Sequence, residues 1–314
     1  MRAYVAPTDQ RWFEFLSAEP NVDEVNFWMP KPWGGRFGVL NRGEPLLFKL
    51  KSPINMIAGG GFFEHYTKLP ISLAWEAFGR KNGAPSFEPV RDSIARLRRE
   101  QPKPWDDYTI GCILLIEPFF WPEELWIPVP EDWSRNIVRG RTYDLQEGLG
   151  LELWRKVASR LAPKPATIPG RVAERRKVEI PGGYGDPLLT PHRLGQGTFR
   201  AVVLDAYGRQ CAVTRERALP ALEAAHIRPF RETQGHVISN GLLLRSDVHR
   251  LFDTGYLTVT PEHRMEASGR MREDFNDGEN YLRLHGSQVS VPNRPDFQPD
   301  PEALRWHNEN RFRG

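Results

Sequence analysis

Between Ala162 and Pro191 the chain carries Pro163, Pro165, Pro169, Pro181, Gly182, Gly183, Gly185, Pro187 and Pro191. Proline fixes φ and lacks an N–H, and glycine adds backbone freedom, so no regular helix or strand persists through such a run. The stretch reads as a linker over residues 163–192, and folding must occur on either side of it. A length of 314 residues agrees, because at about 100–200 residues per domain each side can bury its own core. The linker also holds Arg171, Arg175, Arg176 and Lys177, a basic run that is a solvated face by default and could touch phosphates.

Composition then removes several classes. Glycine and proline number 27 and 28, below the roughly 25–30 % share that marks low complexity, so wholesale disorder and fibrous structure are excluded. The run Ile113–Ile116 is interrupted by Glu117 and Pro118 and falls short of the ~20 apolar residues of a membrane span. The first ten residues lack the apolar stretch of a secretory signal, so a cytoplasmic location is expected. Cys112 and Cys211 are the two cysteines, which argues against a disulfide framework and leaves no paired thiolates for structural zinc. A net charge of +3 permits an anionic partner without requiring one, so nucleic-acid binding has to be argued from motifs.

Before the linker, β-like segments at Val25–Trp28, Leu46–Leu50, Met56–Phe63 and Thr109–Ile116 alternate with helical ones at Gln10–Leu16, Ile71–Gly79, Pro89–Arg99 and Tyr143–Leu161. This is an α+β mixture. Nine of the ten tryptophans fall in this half. Most tryptophans in a domain are core, but Trp28 and Trp33 sit in Asn26-Phe-Trp-Met-Pro-Lys-Pro-Trp-Gly-Gly35, where aromatics, a cation and prolines could wall a planar ligand.

The run Gly43-Glu44-Pro45-Leu46-Leu47-Phe48-Lys49-Leu50-Lys51-Ser52-Pro53, followed by Gly59-Gly60-Gly61-Phe62-Phe63, resembles the strand–loop–strand of the PUA-like superfamily, which includes the EVE, ASCH, YTH and SRA modules. The resemblance implies a small β-barrel with flanking helices over residues 1–162 that reads a modified base. A flipped base needs aromatic stacking and polar groups at its edge. Trp28, Trp33 and Trp75 would stack, and Asn26, Lys49 and Asn55 would reach an edge or a phosphate.

After the linker, Phe199–Tyr207 has helical spacing and ends at Gly208. Leu222-Glu-Ala-Ala-His226, Ser239-Asn-Gly-Leu-Leu-Leu244 and Arg245-Ser-Asp-Val-His-Arg-Leu-Phe-Asp253 predict two short strands and a helix. Metal-assisted phosphodiester hydrolysis needs a cation near the phosphate and a neutral imidazole to take a proton from the attacking water. His226 at a strand end can be that base. His249 and Asp253, at i and i+4, share a helix face and can grip one ion, while the Asn240 amide can bridge the loop between the strands. Such ligation suits Mg²⁺, Mn²⁺ or another first-row ion.

The spacings of 14, 9 and 4 residues from His226 through Asn240 and His249 to Asp253 closely resemble those of the HNH endonucleases, with their ββα-metal fold. The resemblance implies a nuclease domain over residues 193–314, His226 as general base, Asn240 as loop-orienting residue, and His249 and Asp253 as metal ligands. Arg228, Arg231, Arg245 and Arg250 flank these positions and are expected to meet backbone phosphates; His236 fits no such role. Many family members carry an Asp or His directly before the general base, where this chain has Ala225. Thr214 stands where a zinc knuckle would carry its second thiolate, so no structural zinc is expected, and Val213, Leu219, Leu222, Leu242 and Leu244 are expected to hold the fold by packing.

Together these resemblances imply a metal-dependent DNA endonuclease, directed at double-stranded DNA with a modified base, cytosine foremost, as in restriction of foreign DNA. One HNH centre cuts one strand, so a homodimer would serve double-strand cleavage. Two alternatives stay open on the sequence: a modified-nucleic-acid binding protein with a decayed HNH site, and a nuclease whose N-terminal domain senses RNA or a protein.

Overall fold

The computed structural model describes residues 1–34, 37–101, 103, 105–134, 136–161, 194–229, 237–275 and 278–314. The expected linker with its basic run, Arg231 and His236 lie outside the described residues. The chain divides into two compact units, Met1–Trp75 with Gly79–His192 and Arg193–Gly314 with Glu76–Phe78.

The first unit is α+β. Its strands β1 (Arg2–Thr8), β2 (Glu24–Met29), β3 (Pro45–Leu50), β4 (Met56–Pro70), β5 (Thr109–Phe120), β6 (Ile127–Pro128) and β7 (Arg141–Asp144) form one sheet in the order β2-β5-β4-β3-β1-β7, with β6 on β4. β1 and β3 run parallel and the other pairs antiparallel. Among the described residues the end strands β2 and β7 do not pair with each other, so the sheet is not closed into a barrel. The helices are α1 (Gln10–Ala18), α2 (Ile71–Phe78), α3 (Phe87–Arg98) and α4 (Gly148–Leu161).

Successive side chains of a strand face opposite ways, and β3 shows the result. Phe48 enters a cluster with Trp12 (ring centroids 5.2 Å apart) and Phe27 (5.9 Å), while Leu47 packs with Ile57, Trp121, Leu153 and Val157. α1, capped by the Asp9 carboxylate on the Arg11 and Trp12 amides, supplies Trp12, Phe13 and Leu16 to the first cluster. Each such fully buried side chain contributes about 1.5–3 kcal/mol. A Cβ on Gly59 would lie 2.3 Å from the Phe119 carbonyl oxygen, so the glycine run serves the close approach of β4 and β5.

Two sequence expectations shift. The helix predicted from Tyr143 starts at Gly148, because Tyr143 joins β7 opposite Ala3 and its hydroxyl bonds Asp132 at 2.9 Å. β1 had no alternating signal because Ala3–Ala6 are buried on both faces.

The second unit contains α5 (Gln196–Ala206), β8 (Leu222–His226), β9 (Gly241–Arg245), α6 (Ser246–Asp253), β10 (Leu257–Val259), β11 (Met265–Ala267), α7 (Arg270–Phe275), α8 (Glu279–Leu282) and α9 (Pro301–Asn310). β8 and β9 pair antiparallel with His226 opposite Gly241, and α6 follows β9 directly. Leu222, Leu242 and Leu244 are core with Val248 and Phe252 of α6, whereas Val213 and Leu219 are half-buried. The buried Cys211 sulfur accepts the backbone N–H groups of Thr214 (3.4 Å) and Arg245 (3.3 Å), which ties the turn after α5 to the end of β9. Among the described residues, no helix is long and apolar enough to cross a membrane.

Candidate active site

The four residues singled out by spacing fall on the predicted strand, loop and helix. His226 ends β8, and its ring stacks on Phe199 of α5 with centroids 4.2 Å apart and planes 11° from parallel. Phe199 is fully buried, so the imidazole rests on a fixed platform.

Asn240 locks the backbone just past His226. Its Oδ1 accepts the Arg228 N–H and its Nδ2 donates to the Arg228 carbonyl, both at 2.9 Å, while its own carbonyl accepts the Ile227 N–H at 2.9 Å. The side-chain amide thus behaves as one more rung of the β8–β9 ladder where the strands part. It is buried and uses both ends of the amide.

On α6, Val248 and Phe252 are turned into the core, which leaves His249 and Asp253 together on the other face, one turn apart. His249 Nε2 lies 3.3 Å from Asp253 Oδ2, and its Nδ1 lies 2.6 Å from Glu223 Oε2 on β8. A carboxylate only accepts, so Nδ1–H donates to Glu223 and the lone pair of a neutral ring sits on Nε2. That lone pair and the Asp253 carboxylate then face each other as two acceptors, an arrangement completed by a cation, either a proton on Nε2 or a metal ion. Imidazole nitrogen plus carboxylate, with a second carboxylate fixing the imidazole from behind, is the donor chemistry of a divalent first-row site. Among the described residues no three His, Cys, Asp or Glu side chains converge on one point, so protein donors fill few positions and water or phosphate would take the others. Burial pushes the Asp253 carboxyl up, against the charges of His249 and Arg311, and Glu223 adds to the rise.

Phe199, Glu223, His226, His249, Asp253 and His307 line one cleft. Ala225 is buried and offers no donor, while Glu223, three residues before His226, holds His249 from its Nδ1 side. It is the only acidic residue of β8, but nothing in the spacing tied it to His249. His307, on α9, had no sequence signal: it is buried, stacks on Phe252 at 3.8 Å, donates from Nε2 to the Phe252 carbonyl at 3.1 Å, and sets Nδ1 2.8 Å from the Thr258 hydroxyl. Burial holds its pKa down at about 4.

The arginines part company. Arg245, expected to meet phosphate, instead forks onto Asp247 at 2.6 and 2.7 Å, and Tyr281 donates to the same carboxylate at 3.0 Å. This network holds the Asp247 pKa down at about 2 and pins the start of α6. Arg228 sets its guanidinium 5.6 Å from the Trp306 ring centroid, Arg250 is exposed on α6, and Arg231 is outside the described residues.

Of the six residues expected to form a base pocket, Trp28 and Trp33 pack against one hydrophobic cluster, and the contacts of the others differ. Asn26 Nδ2 donates to the Asn82 side chain and Trp28 Nε1 to the Asn82 carbonyl, each at 2.9 Å. Lys49 is buried, donates to Asn55 at 2.6 Å and lies 5.5 Å from the Trp133 ring centroid. Trp33 packs edge-on to Phe37, and its N–H donates to the Tyr66 hydroxyl. Trp75 packs against Phe87. Trp28 and Asn26 are thereby engaged in holding residue 82 against β2.

Residues 211–260 match the HNH endonuclease family, and this segment is an HNH endonuclease domain. Among solved structures, the chain is similar to ASCH from Zymomonas mobilis, at 13 % identity over 50 % of this chain and 94 % of that one, with a TM-score of 0.32. It is also similar to a protein described as the modification dependent TagI restriction endonuclease, at 14 % identity over 99 % of this chain and 81 % of that one, with a TM-score of 0.28. No curated protein matches the chain.

Proposed function

We propose that this chain is a divalent-metal-dependent DNA endonuclease, with the C-terminal unit hydrolysing a phosphodiester and the N-terminal unit selecting DNA that carries a modified base, modified cytosine first among the candidates. The observation that carries the nuclease half is that the His226 imidazole and the His249–Asp253 pair line the same cleft. His249 Nε2 and Asp253 would hold the metal, which when bound supplies charge neutralisation at the phosphate and stabilises the leaving oxygen. His226, stacked flat on Phe199, takes the proton from the attacking water. Asn240 keeps the His226 backbone at a fixed height above the cleft through its bonds to Arg228. Glu223 holds His249 with Nε2 turned to Asp253. Selection of a modified base is supported by the aromatic-rich α+β unit and by the resemblance of Gly43–Pro53 and Gly59–Phe63 to the PUA-like strand–loop–strand, and restriction of foreign DNA is the biological use that follows.

Digestion of one plasmid left bare, methylated or hydroxymethylated at cytosine, with Mg²⁺, Mn²⁺ or chelator, tests both halves. Metal-dependent cutting confined to modified plasmid is expected, and His226→Ala should slow it by about 10²–10⁴-fold. No cutting of any plasmid with either metal refutes the nuclease, and equal cutting of all three refutes base selection.

A further inference from the structure

The HNH match ends at residue 260, yet the wall of the cleft does not. α9 and the residues after it fold back onto the end of α6. His307 donates to the Phe252 carbonyl at 3.1 Å, and the Arg313 N–H donates to the Gly255 carbonyl at 2.9 Å. The approach is close enough that a Cβ on Gly255, where φ is +79°, would lie 2.0 Å from the Arg311 carbonyl oxygen. This docking brings Arg311 to the rim of the cleft, beside Asp253 and His307.

We propose that Arg311 grips the nucleic-acid backbone phosphate at the HNH cleft, as a binding residue supplied from outside the ββα segment. Three observations converge on this role. Arg311 is exposed and no ion pair among the described residues holds its guanidinium, in contrast to Arg245. Its guanidinium lies 6.0 Å from the Trp306 ring centroid, with Arg228 5.6 Å from the same ring; an aromatic face orients a guanidinium while leaving its five N–H donors for an anion. The Arg228 Nε is buried without a hydrogen-bond partner among the described residues. Two like charges gathered round one indole, one with an unmet donor, fit a bridging polyanion. Phosphodiester oxygens are the acceptors that planar forks of this kind bind best.

The inference rests on the nuclease reading, and the test separates the two. Binding of a short DNA duplex to the full chain is measured across a salt series in a His226→Ala background, which leaves the duplex uncut. Arg311→Ala should weaken binding about tenfold, the loss of one charge-assisted contact. It should also flatten the slope of log affinity against log salt by about 0.9, as expected for one phosphate contact removed. Arg311→Lys should keep the slope, and Arg311→Glu should weaken binding further. Unchanged affinity and slope in Arg311→Ala and Arg311→Glu overturn this role while leaving the nuclease standing. A wild-type chain that neither binds nor cuts DNA overturns the nuclease reading and this inference with it.

Discussion

Acid should loosen the C-terminal unit through His307. The ring is buried on Phe252, and its Nε2–H is committed to the Phe252 carbonyl. Its pKa of about 4 lies below the ordinary value of about 6.5, so the unfolded chain takes up a proton at a pH where the folded one does not. The stabilisation is therefore complete above about pH 6.5, declines as pH falls from there toward 4, and is flat below that. With those two values the loss is about 2 kcal/mol on going to pH 5 and about 3 kcal/mol at the limit. Other groups also titrate in this range, so the informative quantity is a difference: urea unfolding of the wild type and of His307→Gln near pH 7.5 and pH 5. Glutamine can keep a donor near the Phe252 carbonyl but does not titrate, and the wild type should lose about 2 kcal/mol more than the variant over this interval. Equal losses in the two proteins would show that His307 is protonated in the folded state and would refute the reasoning.

Asn240→Ala should cost about 2–4 kcal/mol, because it removes two hydrogen bonds and leaves a half-buried N–H and carbonyl of Arg228 unmet; urea unfolding measures it, and cutting should fall with it. Glu223→Gln, which keeps the shape but loses the charge behind His249, should weaken Mn²⁺ binding by about 10–100-fold, read directly by calorimetry, and unchanged binding would remove Glu223 from the site.

The legible part of the site was the part written on one short stretch of chain. A strand of five residues, a loop and a helix leave little freedom, so the intervals from His226 to Asp253 translate almost directly into positions. Asn240 was readable for the same reason, since its partner is the backbone two residues past His226. Glu223 and His307 were not, because their roles depend on which side chain faces them across β8–α6 and α9–α6, and spacing carries no such information. Arg245 misled because a charge near a site looks alike whether it meets a phosphate or, as here, its neighbour Asp247. In the first unit β3 was visible as a β-like segment, but Trp28 and Trp33 could be read as pocket or as packing. A half-buried indole hydrogen-bonded to the Asn82 carbonyl and one facing a base have the same sequence signature.

The bracing of α6 by residues 301–313 has a consequence for how the nuclease comes into being. A ribosome that has finished the recognisable ββα segment has not yet made the strut that steadies its helix or the arginine at its rim. The helix is therefore steadied only after the segment it belongs to has been made, and a fragment trimmed to residues 211–260 would carry the signature of the enzyme without that brace.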